Sequence, residues 1–139
     1  MIPELLQPHT DPCSLASKWG IDIDLATRLV SMVNRLEFPV SIISGLRSRK
    51  EQEALRRSGR PTADPDKSTH LSCPATGADV QPQIFVTTLV KARLGAEARF
   101  AGLRWGGGSP TVRHTDIGGG TALLPSDWNH FDLGPRRTG

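Results

Sequence analysis

Two short stretches, far apart in the chain, each carry a histidine and a carboxylate, and they restrict the fold more than any other feature. The first runs Ser68-Thr69-His70-Leu71-Ser72-Cys73-Pro74-Ala75-Thr76-Gly77-Ala78-Asp79, and the second is Asp127-Trp128-Asn129-His130. If a fold brings them together, they supply two imidazoles and one carboxylate to hold a metal, with one further carboxylate left over. Three protein ligands with one open position is the arrangement of a catalytic zinc site rather than a structural one. The spare acid can then serve as general base towards a water at the metal. The spacing sets a further condition. Residues 127 and 130 are three apart, so a straight strand would send them to opposite faces. The backbone therefore has to bend between them, and Pro125-Ser126 supports a turn there. Gly77 eases the path from the loop of His70 to the strand of Asp79. A set of two histidines and one carboxylate also describes non-haem iron oxygenases. Those usually place a histidine and the carboxylate two apart, which His70 and Asp79 do not match, so zinc and hydrolysis fit better.

The rest of the chain reads as scaffold. Its 139 residues suit a single domain spanning 1–139, with residues 1–20 as an extended arm anchored by Trp19 and 135–139 as a tail. An apolar content of 37%, to which 14 glycines add, is that of a globular chain and excludes global disorder. The net charge of +3 is a mild bias towards anionic partners. Arg47-Ser48-Arg49-Lys50 and Arg56-Arg57 read as the solvated face of a helix, and no nucleic-acid partner is expected. Cys13 and Cys73 form no CxxC pair and read as free thiols, with metal ligation by Cys73 and a disulfide between the two as the alternatives. The N-terminus lacks the basic start and apolar core of a secretory signal. No run approaches the roughly 18 apolar residues of a membrane span. Synthesis in the cytoplasm follows as an expectation.

Leu25, Leu29, Val33 and Leu36 predict a helix opening near Asp22 and stopped by Pro39. Val40-Ser41-Ile42-Ile43 reads as a buried strand. Ser48 with Glu51 forms a capping box for a second helix that Gly59 closes. Ala78-Asp79-Val80 reads as a strand and Gln83 to Leu94 as a helix after Pro82. Gly95 is expected to break that helix before a short turn from Ala96 to Phe100. Leu103-Arg104-Trp105 and Trp128 to Leu133 read as strands, and residues 109–124 as a loop. His9 and His114 read as fillers, and Trp105 and Trp128 as packing beside the site. The irregular alternation of elements favours an α+β fold with a small antiparallel sheet.

The same residues carry a resemblance. Ser68-Thr69-His70 leading to Ala78-Asp79, then Asp127-Trp128-Asn129-His130, resembles the M15 zinc peptidases. That family includes D-Ala-D-Ala carboxypeptidases and dipeptidases, and phage endolysins that cut the L-alanyl-D-glutamate bond of peptidoglycan. Ser44-Gly45-Leu46-Arg47-Ser48 with Gln52 resembles the family's upstream element, and Leu103-Arg104-Trp105-Gly106-Gly107 its Trp-Gly-Gly segment. The resemblance covers residues 40–133. It implies a hedgehog/DD-peptidase-like fold and Zn2+ on His70, Asp79 and His130. It also implies Asp127 as catalytic acid/base, and Arg47, Ser68 and Gln52 as substrate-binding residues. Bacterial peptidoglycan is the implied partner, acted on by a monomer without a separate cell-wall-binding domain, after release from the host cytoplasm. Three departures stand out: eight residues separate His70 from Asp79, a longer loop than usual; Asp127 replaces a frequent glutamate; and Leu46 replaces an aromatic. A non-catalytic virion or wall-binding module is the competing reading, and a spare acid at Asp127 argues against it. The iron oxygenase is a third.

Overall fold

The computed structural model describes residues 2–46, 54, 57–59 and 74–135. Its organising element is a five-stranded antiparallel sheet, built from β1 (Glu4–Leu6), β2 (Val40–Ser44), β3 (Gly77–Pro82), β7 (His130–Asp132) and β4 (Arg104–Trp105) in that spatial order. Helices α1 (Pro12–Trp19), α2 (Ile23–Val33) and α3 (Thr88–Phe100) accompany it. This is the α+β architecture with a small antiparallel sheet that the mixed pattern of elements predicts.

Alternation along the strands divides the sheet into two chemically distinct faces. Ala78 lies opposite Phe131, and Val80 opposite Ile42. These four are fully buried and join Leu25, Leu29 and Met32 of α2 and Leu94 and Ala98 of α3 in one core. The residues between them belong to the other face. Asp79 lies directly opposite His130, and Arg104 directly opposite Asp132. An irregularity in the β2–β3 ladder between Ile42 and Ser44 brings Ser44 opposite Asp79.

Several boundaries differ from the sequence expectations. Residues 1–20 are not a plain extended arm, because they contain β1 and α1. Asp11 caps α1 by accepting from the Cys13 amide and the Ser14 hydroxyl, and Pro12 opens the helix where its missing N–H costs nothing. Trp19 is buried, as expected of an anchor. Asp22 caps α2 by accepting from the Asp24 amide. Of the helix expected after Ser48, the described part is Ala54 and Arg57, helical, and the turn Ser58–Gly59, where Gly59 has a φ of +82°.

The helix after Pro82 starts at Thr88 rather than Gln83. The Thr87 hydroxyl accepts from the Val90 amide, and Asp116 accepts from both the amide and hydroxyl of Thr88. Gly95 does not break it. The Trp105 indole packs so closely against Gly95 that an added Cβ would overlap the ring, so the glycine marks a close approach of strand to helix. Gly95→Ala should therefore lower stability by about 1–3 kcal/mol, the usual cost of overpacking, read as a lower urea midpoint. An unchanged midpoint would show that the indole moves aside freely.

The expected loop over 109–124 is instead a hairpin, β5 (Thr111–Thr115) with β6 (Thr121–Pro125). The glycine triplet supplies its turn, closed by hydrogen bonds from the Asp116 amide to the Gly120 carbonyl and from the Gly119 amide to the Asp116 carbonyl. His114 donates Nε2–H to the Pro125 carbonyl and meets Lys91 Nζ at 3.0 Å through Nδ1. It ties hairpin to helix, which is a packing role. Cys13 is an exposed free thiol. Among the described residues, no helix is long and apolar enough to cross a membrane.

Candidate metal centre

Adjacent strands place the two key side chains. Because Asp79 on β3 is the register partner of His130 on β7, both project from the same face. His130 Nδ1 lies 3.0 Å from Asp79 Oδ1, and both side chains are largely buried. Residues 126–129 form the turn that the spacing of Asp127 and His130 demands. The Asp127 carbonyl accepts from the His130 amide, and the Asp127 amide donates to Ser109 Oγ. Trp128 lies in this turn rather than in the expected strand. Its carbonyl accepts from the Trp105 indole at 2.6 Å, and its ring lies beneath Lys91.

On its other side His130 is gripped as firmly. Nε2 lies 2.9 Å from Asp132 Oδ2, two residues along the same strand face. Asp132 is fully buried and receives a two-pronged grip from Arg104, Nε to Oδ1 at 2.8 Å and Nη2 to Oδ2 at 2.9 Å. Its Oδ1 also accepts from the Gly134 amide at 2.7 Å. Gly107, at a φ of +60°, closes over this pair. An added Cβ there would stand 2.7 Å from His130 Cδ2 and 3.1 Å from its Nε2.

The electrostatics follow from these contacts. Burial opposes a charge on His130. The hydrogen bonds to Asp132 and Asp79, with the negative charges of Asp79 and Asp127, prevail and hold its pKa up to about 9. Burial likewise opposes a charge on Asp132, but its bonds to His130 and Arg104 hold it down to about 2. The hydrogen bond to Asp132 raises the Arg104 pKa against burial.

Of the residues singled out in the sequence, the structure brings Asp79 and His130 into contact and sets Asp127 close enough for its charge to act on His130. His70, Arg47, Ser68 and Gln52 lie outside the described residues. Among the described residues, no three His, Cys, Asp or Glu side chains form a metal-holding group. The donor chemistry present nevertheless suits zinc, which takes imidazole nitrogen and carboxylate oxygen at about 2.0–2.2 Å. Two ligands on one tetrahedral ion then stand a little over 3 Å apart, close to the separation of Asp79 Oδ1 and His130 Nδ1.

Arg104, Asp132 and Gly107 were not singled out from the sequence as functional residues. A signal existed in His130-Phe131-Asp132, since residues two apart on a strand share a face. That spacing also matches the histidine–carboxylate pair of the iron oxygenases. In the structure the oxygens of Asp132 are engaged by Arg104, Gly134 and the far nitrogen of His130.

No family model matches the chain, and no curated protein matches it. Among solved structures it is similar to the crystal structure of the Serratia marcescens L-Ala D-Glu endopeptidase ChiX. The TM-score is 0.61 and the identity 22%, over 82% of this chain and 80% of that chain. The chain has the fold of that endopeptidase.

Proposed function

We propose that this protein is a zinc-dependent peptidase of the M15 type that hydrolyses an amide bond in the stem peptide of bacterial peptidoglycan. L-Ala-D-Glu and D-Ala-D-Ala are the candidate bonds, and a phage-type endolysin is the kind of enzyme that fits best. One observation carries the reading: the β3–β7 register sets Asp79 against His130, with Asp127 in the turn that leads into the same strand. The shared fold with an L-Ala D-Glu endopeptidase supports the substrate class.

In this reading His70, Asp79 and His130 hold the ion. Zinc supplies Lewis acidity and lowers the pKa of a water to about 7. Asp127 accepts the proton of the attacking water and returns it to the leaving amine. Arg47 offers a fixed positive fork to a substrate carboxylate or carbonyl oxygen. Ser68 and Gln52 contact the peptide.

The test is mass spectrometry of fragments released from purified peptidoglycan of known chemistry by the zinc-loaded protein. New amino termini on D-Glu, or loss of terminal D-Ala, would identify the bond. Walls left intact by protein that holds one zinc per chain would refute the reading and favour the non-catalytic module.

A further inference from the structure

The contact carrying most information beyond that reading lies behind His130, away from Asp79. We propose that Asp132 and Arg104 are positioning residues of the metal site: Asp132 holds the Nε2–H of His130, and Arg104 holds Asp132, so that Nδ1 is the nitrogen presented to the ion. The inference rests on the metal reading above and adds to it which ring nitrogen ligates and what fixes it.

The geometry argues this from three sides. Both ring nitrogens of His130 face carboxylates, Nδ1 towards Asp79 at 3.0 Å and Nε2 towards Asp132 at 2.9 Å. Turning the ring over would put a carbon against each carboxylate and lose both contacts. The two carboxylates are not equivalent. Asp132 is fully buried and bound through both oxygens by Arg104, with Gly134 N–H on Oδ1. It is therefore a fixed acceptor that suits an N–H donor and has little capacity left for an ion. Finally, Gly107 leaves no room for a side chain above the His130–Asp132 contact.

The sequence encodes the arrangement through strand register alone. Arg104 and Asp132 are directly paired across β4 and β7, and Asp132 and His130 lie two apart on β7. An imidazole whose far N–H is held by a carboxylate is a better and better-aimed ligand, and loss of such a partner usually weakens metal binding about 10–100-fold.

The test is zinc affinity, measured by competition with a chromogenic chelator, for wild type, Asp132→Asn and Arg104→Met. Circular dichroism in excess chelator checks that each variant folds. Asp132→Asn should bind zinc about 10–100-fold more weakly, and Arg104→Met towards the lower end of that range. Nitrogen-15 spectra of the zinc-loaded wild type should show His130 protonated on Nε2 and metallated on Nδ1, an assignment that a purely structural role would not fix. If Asp132→Asn does not fold, the half-exposed Arg104 and the wild-type spectrum still decide. Affinities of the folded variants within twofold of wild type, or a ring metallated on Nε2, would overturn the inference and leave the zinc peptidase standing. A wild-type chain that takes up no zinc would overturn both.

Discussion

Asp127→Ala should keep its zinc and lose about two to four orders of magnitude in peptidoglycan hydrolysis, the usual worth of a positioned proton-transfer group. His130→Ala should lose both metal and activity. The two outcomes differ because the side chains play different parts. His130 is locked between Asp79 and Asp132, so its removal takes away a donor atom and leaves two buried carboxylates without their shared partner. Asp127 sits in the preceding turn, held through its backbone by Ser109 and His130. Truncating its side chain leaves those backbone bonds intact. Zinc content measured alongside turnover separates the roles. An Asp127→Ala protein as active as wild type would remove this residue from the mechanism, and one that no longer retained zinc would make it a ligand instead.

The metal-free chain should become less stable as pH rises from about 7 to beyond 9. In the folded state His130 has a pKa of about 9, above its ordinary value of 6.5. The protonated ring therefore contributes stability in full below about pH 6.5, and the contribution is lost as pH rises through 9. A shift of this size is worth on the order of a few kcal/mol at most. Asp132 works at the opposite end. Its folded pKa of about 2 lies below the ordinary 3.8, so its contribution is present above pH 4 and lost as pH falls through 2. The metal-free protein should thus be most stable between about pH 4 and 6.5. Urea midpoints measured in chelator from pH 5 to 10 test this, with His130→Gln as the reference. A wild-type profile parallel to that of His130→Gln would disprove it. Zinc competes with the proton for Nδ1, so the stabilisation it confers should grow over the same alkaline range.

The pairing of Asp79 with His130 was legible in the sequence because both the residue types and the required bend after Pro125 are local features. Their supporting residues were less so. Arg104 lies in a strand only two residues long, and nothing near it in sequence says that it faces Asp132. That information resides in register, which a single sequence specifies only through the whole sheet. The helix α2 was readable from its apolar spacing and its aspartate cap. Helix α3 was readable as a helix but not in its start or its continuity, because the start depends on Asp116 from a distant hairpin and Gly95 is retained for a ring across the interface. The hairpin itself was hidden because its strands are largely exposed and mix polar with apolar residues, so little burial distinguishes strand from loop.

The alternation of Phe131 with His130 and Asp132 has a consequence for anyone wishing to move this centre to another protein. A slip of one residue in β7 would turn the aromatic ring outward and bury the imidazole among aliphatic side chains. Correct chemistry and correct folding are thus the same event. A transplant would have to carry β3, β4 and β7 together, with their pairing intact, because grafting the surrounding loops alone would leave the side chains of Asp79 and His130 behind.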